Sequence, residues 1–536
     1  MIKLSKTILT SLTAFFLIFA LLTSGYKTTV EATPAMIYVP TEQHPTIQEA
    51  IDQAYPGDTI FVYNGTYYEN IVINKSVSLV GQDRDSTIIN GQEAGPVVSI
   101  TANNVNINGF TIQNSTHGPP PHNSGIFIDH SSDNNISHNK IGDNYHGIYL
   151  LSSNGNVISD NDVAFHNYHG IYLDNSRGNV VSSNSVLLNS NDGIYLYYSN
   201  ENTIANNNAS FNSFHGIYLF YSNGTSVFNN NISKNNDCGI GLYSCFNNTF
   251  YHNNFVENED QIERSESVNN WDYNGEGNYW SDYAGQDRNR DGIGDDPYFI
   301  DANNKDDYPL MGIFQAFPVI WRKETHGVNI VSNSRISLFK FEVGTGTGNK
   351  MVAFNVAGDD GTPGFCRVMI PTKLMNYSLF ALVDGEEIMT TLLTASQISS
   401  IGVYFTYLHS SHSVTIISSK LLHLYNQLLE EHSRLQSDYS SLNATYHELL
   451  TSYGPLLSNY SQLLEGYSTL NTSLQSLLHD YSGIEAEYAS ILLEHSQNIQ
   501  NLVYIFVATT IVSIITTVYL STHAHKKAPK TEESQV

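Results

Sequence analysis

One short phrase recurs through the middle of the chain and dictates its shape. Gly125, Gly147, Gly170, Gly193, Gly216 and Gly239 each open a variant of Gly-Ile-Tyr-Leu, at spacings of 22, 23, 23, 23 and 23 residues. A fixed period in this range marks a solenoid, whose repeats bury their apolar faces only against their neighbours. No stretch of ten residues in the repeat places apolar side chains at helical spacing, and β-branched residues alternate with Asn, Gly and Ser. Short strands parted by turns fit that pattern. Strand alternation puts Ile148, Ile171, Ile194 and Ile217, with Leu150, Leu173, Leu196 and Leu219, on one face. Tyr149, Tyr172, Tyr195 and Tyr218 take the other.

Two more apolar columns share the period. One is Ile136, Ile158, Val181, Ile204, Val227 and Phe250; the other is Ile141, Val163, Val186, Ala209, Ile232 and Phe255. Three columns predict three parallel strands per coil of a β-helix, with like residues stacked ~4.8 Å apart. Asn139, Asn161, Asn184, Asn207, Asn230 and Asn253 form an amide column. We read these as bend residues that tolerate the left-handed backbone and hydrogen-bond to both neighbours. Ser131, Ser153, Ser176, Ser199 and Ser222 form a column that Cys245 continues, so Cys245 reads as a packed residue. The amphipathic segment 47–54 would cap the open end of the solenoid.

The flanking words carry a resemblance. "TIQEAIDQAYPGDTI", "GTYYENIVI", the repeats themselves and the closing "GNYWSDYAGQDRNRDGIGDDPYFI" resemble the NosD-type family, over residues 38–310. That family belongs to the pectin-lyase-like superfamily of right-handed parallel β-helices. The resemblance implies the fold. By association it also implies copper delivery to a periplasmic reductase, and through relatives with such repeats a carbohydrate-binding role at a cell surface. One fold hosts many functions, so the chemistry must be argued from residues.

The rest of the chain changes character. Residues 320–418 alternate as short strands ("RISLFKFEV", "KMVAFNVAG") and predict a small β-sandwich, similar to accessory domains of archaeal cell-surface proteins. Over 419–498, Leu428, Leu435, Leu442, Leu463, Leu470 and Leu477 keep a heptad, with Tyr439, Tyr467 and Tyr481 on the second seam position. This predicts a coiled-coil stalk of roughly 110 Å that joins copies into a homo-oligomer, with a kink or fold-back at Gly454 and Pro455. Residues 502–520 lack charge and read as a transmembrane helix, with 521–536 as a cytoplasmic tail. Residues 1–35 read as a signal peptide and 36–312 as the β-helix. The expected fold is thus mainly β: a right-handed parallel β-helix, a small β-sandwich, an α-helical coiled coil and one transmembrane helix. Its bulk would be extracellular on a single-pass anchor in the cell membrane. With 51 acidic against 24 basic residues and a net charge of −27, nucleic acid is excluded as a partner.

Four groups of residues are candidates for chemistry. Asp287, Asn289, Asp291, the Ile293 carbonyl and Asp295 have the spacing of an EF-hand-like Ca²⁺ loop, although Tyr298 stands where its last ligand belongs. His146, His169 and His215, with Asp192 and Cys238, occupy successive coils just before each Gly-Ile. They include metal-ligand types, but a stacked ladder explains them without copper. His138, Lys140, Asp160 and Asp162 offer the base and carboxylates of a polysaccharide lyase or glycoside hydrolase. Finally, Tyr149, Tyr172, Tyr195 and Tyr218 offer faces on which sugar rings stack. The main expectation is non-catalytic recognition of a polysaccharide or glycoprotein, or an envelope role. A lyase or hydrolase is the first alternative and copper handling the second.

Overall fold

The computed structural model describes residues 33–116, 118, 123–344, 349–394, 399–452 and 463–490, with Val507 and Ile511. The signal segment lies outside these residues except for 33–35.

The repeat closes into coils of three strands. Three parallel sheets of eleven, ten and nine strands run along the domain, and neighbours in each sheet are one coil apart. The first sheet contains Asn135–Ser137 and Val157–Ser159, the second Lys140–Gly142 and Asp162–Ala164, and the third His146–Leu151 and Ile171–Asp174. Register follows the sequence period: Ile148 pairs with Ile171, then Ile194, Ile217 and Ile240. The three apolar columns are all buried inside.

Between sheets the chain bends through a left-handed residue followed by a buried ladder residue. His138, Asp160, Ser183, Asn206, Asn229 and His252 have φ between 56 and 59°. The left-handed position is therefore the one before each Asn of the amide column, which corrects the sequence reading. The Asn itself serves hydrogen bonding. Asn184 Oδ1 accepts the backbone N–H and the Nδ2 of Asn161, both at 3.0 Å. Its own Nδ2 donates to the Ile158 carbonyl at 2.8 Å and to Asn207 Oδ1 at 3.0 Å. Polar backbone groups that the bends leave without strand partners are thereby satisfied. Two further ladders occupy the other corners, through Asn134, Asn156, Asn179 and Asn202, and through Asn144, His166, Asn189 and Asn212. His166 Nδ1 accepts the Asn144 N–H, and burial pulls its pKa down to about 4, so it is neutral there.

Both ends are closed. Helix Ile47–Gln53 starts at Thr46, whose Oγ1 accepts the Glu49 N–H, and it lays Ile47, Ala50 and Ile51 over the first coil. At the far end Trp271 and Trp280 cover the core, and the ladder terminates on Asp306. Its carboxylate accepts the Asn278 N–H at 2.7 Å, the Trp280 Nε1–H at 2.9 Å and the Tyr308 N–H at 3.0 Å. Burial outweighs these donors and pushes the Asp306 pKa up to about 7. A folded-state pKa above the unfolded one favours the protonated native form. Its contribution is complete below about pH 4 and disappears as pH rises through about 7. Asp306→Asn is expected to flatten the fall in Tm over that interval, whatever its offset, as read by thermal scans across pH.

Strands Ile313–Trp321 to Ser411–Ser419 build a sandwich of two five-stranded antiparallel sheets, starting before the expected residue 320. Val328, Ile330, Val352, Phe354 and Cys366 fill its core. Cys238, Cys245 and Cys366 are all buried and free.

Residues Tyr425–Val536 form a separate compact unit. Helix Lys420–Ser452 and helical residues 463–490 meet through the stacked pairs His432–Tyr481 and Tyr446–Tyr467. As one number rises the other falls, so the two helices run antiparallel, while Leu435, Leu442, Leu470 and Leu477 of the predicted seam stay exposed. Gly454 and Pro455 lie between them, outside the described residues. No helix among the described residues is long and apolar enough to cross a membrane. The first helix carries Glu430, Glu431, Arg434 and Asp438, and the second Glu465, Asp480, Glu485 and Glu487. Each such charge in hydrocarbon costs about 3 kcal/mol. The expected transmembrane helix, C-terminal membrane anchoring and single-pass localisation are corrected on this finding. The 502–520 segment itself lies outside the described residues apart from Val507 and Ile511.

Candidate functional site

The third sheet turns a row of polar and aromatic side chains outward. Alternation along Ile171–Asp174, Ile194–Tyr197 and Ile217–Phe220 buries Ile and Leu and leaves Tyr outside. Tyr149, Tyr172, Tyr195 and Tyr218 form a stack with ring centroids 4.7, 5.1 and 5.1 Å apart. The histidine column shares this face. Gly170 and its equivalents separate the two columns because the coils approach too closely there for a side chain: a Cβ on Gly170 would sit 2.7 Å from the Gly193 carbonyl. His146 stacks on His169 and Tyr172, and His215 stacks on Tyr218 at 4.6 Å. Two columns that read separately in the sequence are thus one surface.

The tyrosine row stops at Gly241. A Cβ there would lie 2.7 Å from both the His215 and Tyr218 rings. The gap lets His215 lean across a coil to Glu263, the residue paired with Gly241. His215 Nδ1 lies 2.7 Å from Asp192 Oδ1, and Nε2 lies 3.0 Å from Glu263 Oε2 and 3.9 Å from Asp237 Oδ2. Both ring nitrogens face carboxylates, so both carry protons and the ring is an imidazolium. Burial opposes that charge, but Asp192, Glu263 and Asp237 outweigh it and raise the His215 pKa. Burial raises Asp192 too, yet the hydrogen bonds and charges of His169 and His215 hold it at about 2. His169 Nδ1 lies 3.1 Å from the other Asp192 oxygen. Burial keeps the His169 and His146 pKa values low, with the neighbouring His169 adding to the effect on His146.

Among the described residues, His215 is the one of the three histidines put forward as metal ligands that joins a cluster of ligand types. One ligand atom each from His215, Cys238 and Glu263 lies within 4.8 Å of the others. Burial pushes the Cys238 thiol up to about 12, with Asp237 adding to it.

The corner patch does not converge. Lys140 and Asp162 are strand partners, but Lys140 Nζ reaches Asp85 at 3.5 Å and Asp162 is held by Arg84 at 2.5 Å. His138 and Asp160 are left-handed bend residues with exposed side chains. In the acidic loop, Asp287 accepts the N–H groups of Asp291 and Gly292, and Asp291 accepts that of Ile293. Asp295 accepts the Arg288 N–H, and Asn289 accepts the Asp291 N–H. The loop closes on its own backbone, and the Ca²⁺ reading rests on its spacing. Sequence reading missed Asp237 and Glu263. Their signal was a shift of phase, since Glu263 occupies the ladder position in a coil without the Gly-Ile-Tyr-Leu phrase.

Comparison with known proteins agrees with the architecture. Residues 51–285 match the family described as NosD, periplasmic copper-binding protein, which covers less than half of the chain. No curated protein matches. Among solved structures, the pectate lyase Pel9A is 14% identical, covering 47% of this chain and 82% of its own, at a TM-score of 0.36. The A-module of the Azotobacter vinelandii mannuronan C-5 epimerase AlgE4 is 17% identical, covering 42% and 76%, at 0.34. The Dettilon tailspike protein is 15% identical, covering 71% and 94%, at 0.30. Likenesses at these scores carry no argument about chemistry. The three continuous parallel sheets make this domain a parallel β-helix, and its repeats match the NosD description over residues 51–285.

Proposed function

We propose that the outer face of the third sheet holds a polysaccharide and that Asp237 and Glu263 cleave it by hydrolysis. The observation that carries this reading is the convergence of two exposed carboxylates on His215 Nε2, where a row of stacked rings ends. Glycoside hydrolysis needs one carboxyl to protonate the leaving oxygen and a second to attack, or to activate water. Here the His215 imidazolium, whose Nε2–H faces both carboxylates, is suited to the first role, and Glu263 and Asp237 beside it to the second. Asp192, buried behind the ring, fixes its orientation and charge. The tyrosines are stacked face on face, so the row presents ring edges and hydroxyls to a polymer.

The charge of this face supports hydrolysis over elimination. Strands Ser124–Asp129, His146–Leu151, Ile171–Asp174, Ile194–Tyr197, Ile217–Phe220 and Cys238–Tyr243 contain neither Lys nor Arg, and in the next strand, Asp260–Ser265, Arg264 is held by Asp301 at 3.0 Å. Asp129, Asp174, Asp192 and Glu263 stand on it, and carboxylates already surround His215. Elimination from a uronate requires its carboxylate to be neutralised, and the cations His215 and Arg264 are already paired with carboxylates. Polyuronates are therefore expected to be retained about tenfold more weakly than neutral polymers at low salt, with the difference shrinking as salt is added. Affinity electrophoresis in matched gels measures this. For the reaction itself, incubation with neutral polysaccharides should release new reducing ends. Retention without cleavage would refute hydrolysis, and unsaturated products would identify a lyase instead.

A second reading has its own observation. His215, Cys238 and Glu263 fit a single transition-metal ion once the imidazolium and thiol release protons, and the matched family is described as copper-binding. Uptake of Cu²⁺ or Zn²⁺ that rises steeply with pH and disappears in Cys238→Ser would favour it over the hydrolytic reading.

A further inference from the structure

A cavity of about 730 Å³ opens where the last coils of the β-helix face the sandwich. That volume lies in the range of small-molecule sites. Its β-helix wall includes Tyr251, Tyr273, His252 and Glu276, and Arg367 reaches in from the sandwich strand Pro363–Pro371. The polar floor is built. Arg367 Nη2 donates to Glu276 Oε1 at 2.5 Å, and Glu276 Oε2 lies 2.7 Å from His252 Nε2. The His252 ring is in turn stacked on Phe314 at 4.0 Å. The Arg367 side chain is 8% exposed, yet its Nε and Nη1 have no hydrogen-bond partner. Asn229 Oδ1, on the same cavity, is a buried acceptor without a partner. An orphaned buried polar group is costly, and two of opposite kind in one cavity point to something that fills both.

We infer that this cavity is a second carbohydrate site, taking a short neutral oligosaccharide. Hydroxyl groups both accept and donate, which matches an unpaired guanidinium edge and an unpaired amide oxygen together. The aromatic wall suits a sugar ring: Tyr251 stacks on Phe228 at 5.0 Å, and Tyr273, tilted against it at 5.1 Å, is 54% exposed. The charge of Arg367 is balanced by Glu276, so no net positive charge remains to select an acid. The site lies at the edge of the first sheet, apart from the third-sheet face, and does not depend on hydrolysis there.

The test uses the full chain and calorimetric titration with di- to tetrasaccharides of glucose, xylose and mannose. Binding of at least one series is expected. Tyr273→Ala, a change at an exposed ring, should weaken it about tenfold while leaving cleavage of neutral polymer unchanged. Arg367→Lys should weaken it also, and Glu263→Gln should not change it. Absence of binding by every series would overturn the proposal. So would binding that survives Tyr273→Ala but is lost in Glu263→Gln, which would place the sugar on the third sheet.

Discussion

Glu263→Gln is expected to slow release of reducing ends from a neutral polysaccharide by about a thousandfold, with retention on the same polymer changed no more than about threefold. The substitution keeps shape and a hydrogen bond to His215 Nε2 but removes the carboxylate charge beside it. His215 stays cationic through Asp192, so the local fold should persist. Asp237→Asn should lose a similar factor. The two together should lose little more than either alone, because the groups act on one bond. Chromatographic counting of new ends and affinity electrophoresis separate the two quantities. Equal loss of binding and cleavage would mean that Glu263 merely holds the surface together.

Asn184→Ala should destabilise the β-helix by about 3–5 kcal/mol, a large effect for one side chain. The amide sits at 1% exposure in the middle of a ladder. Its loss leaves the Asn161 N–H, bonded now at 3.0 Å, buried without a partner, and takes from the Ile158 strand carbonyl a second donor at 2.8 Å. Such an orphan costs about 1–3 kcal/mol, and the vacated volume adds to it. Neighbouring coils are coupled only through one another, so the break should also split the unfolding transition in two. Denaturant unfolding followed by Trp271 and Trp280, both in the far end of this domain, reads the change. A loss below about 1 kcal/mol would show the ladder to be incidental to stability.

Much of the architecture was legible because, in a solenoid, neighbours in space are neighbours by count. Ile148 meets Ile171 at the distance the period sets, and no long-range pairing had to be guessed. Two corner ladders escaped notice because His166 and Thr225 interrupt their rows of Asn. The corner patch looked like a site because Arg84 and Asp85, which hold Asp162 and Lys140, come from a much earlier loop. His215 was visible, but its role was not. That role depends on Gly241 being empty and on a carboxylate from a coil whose phrase has lapsed. In the helical segment His432 and Tyr446 meet Tyr481 and Tyr467 of the same chain while Leu435, Leu442, Leu470 and Leu477 stay exposed, and pattern alone does not say which copy a heptad meets.

The vacancy at Gly241 has one more effect. A uniform row of rings offers a threaded polymer the same footing at every rung, so nothing would stop it from slipping lengthwise. Where the row breaks off, the equivalence of positions is lost. Under the proposed function, a strand sliding along the surface would acquire an end stop here, and the distance from that stop to the carboxylates would decide which linkage is presented.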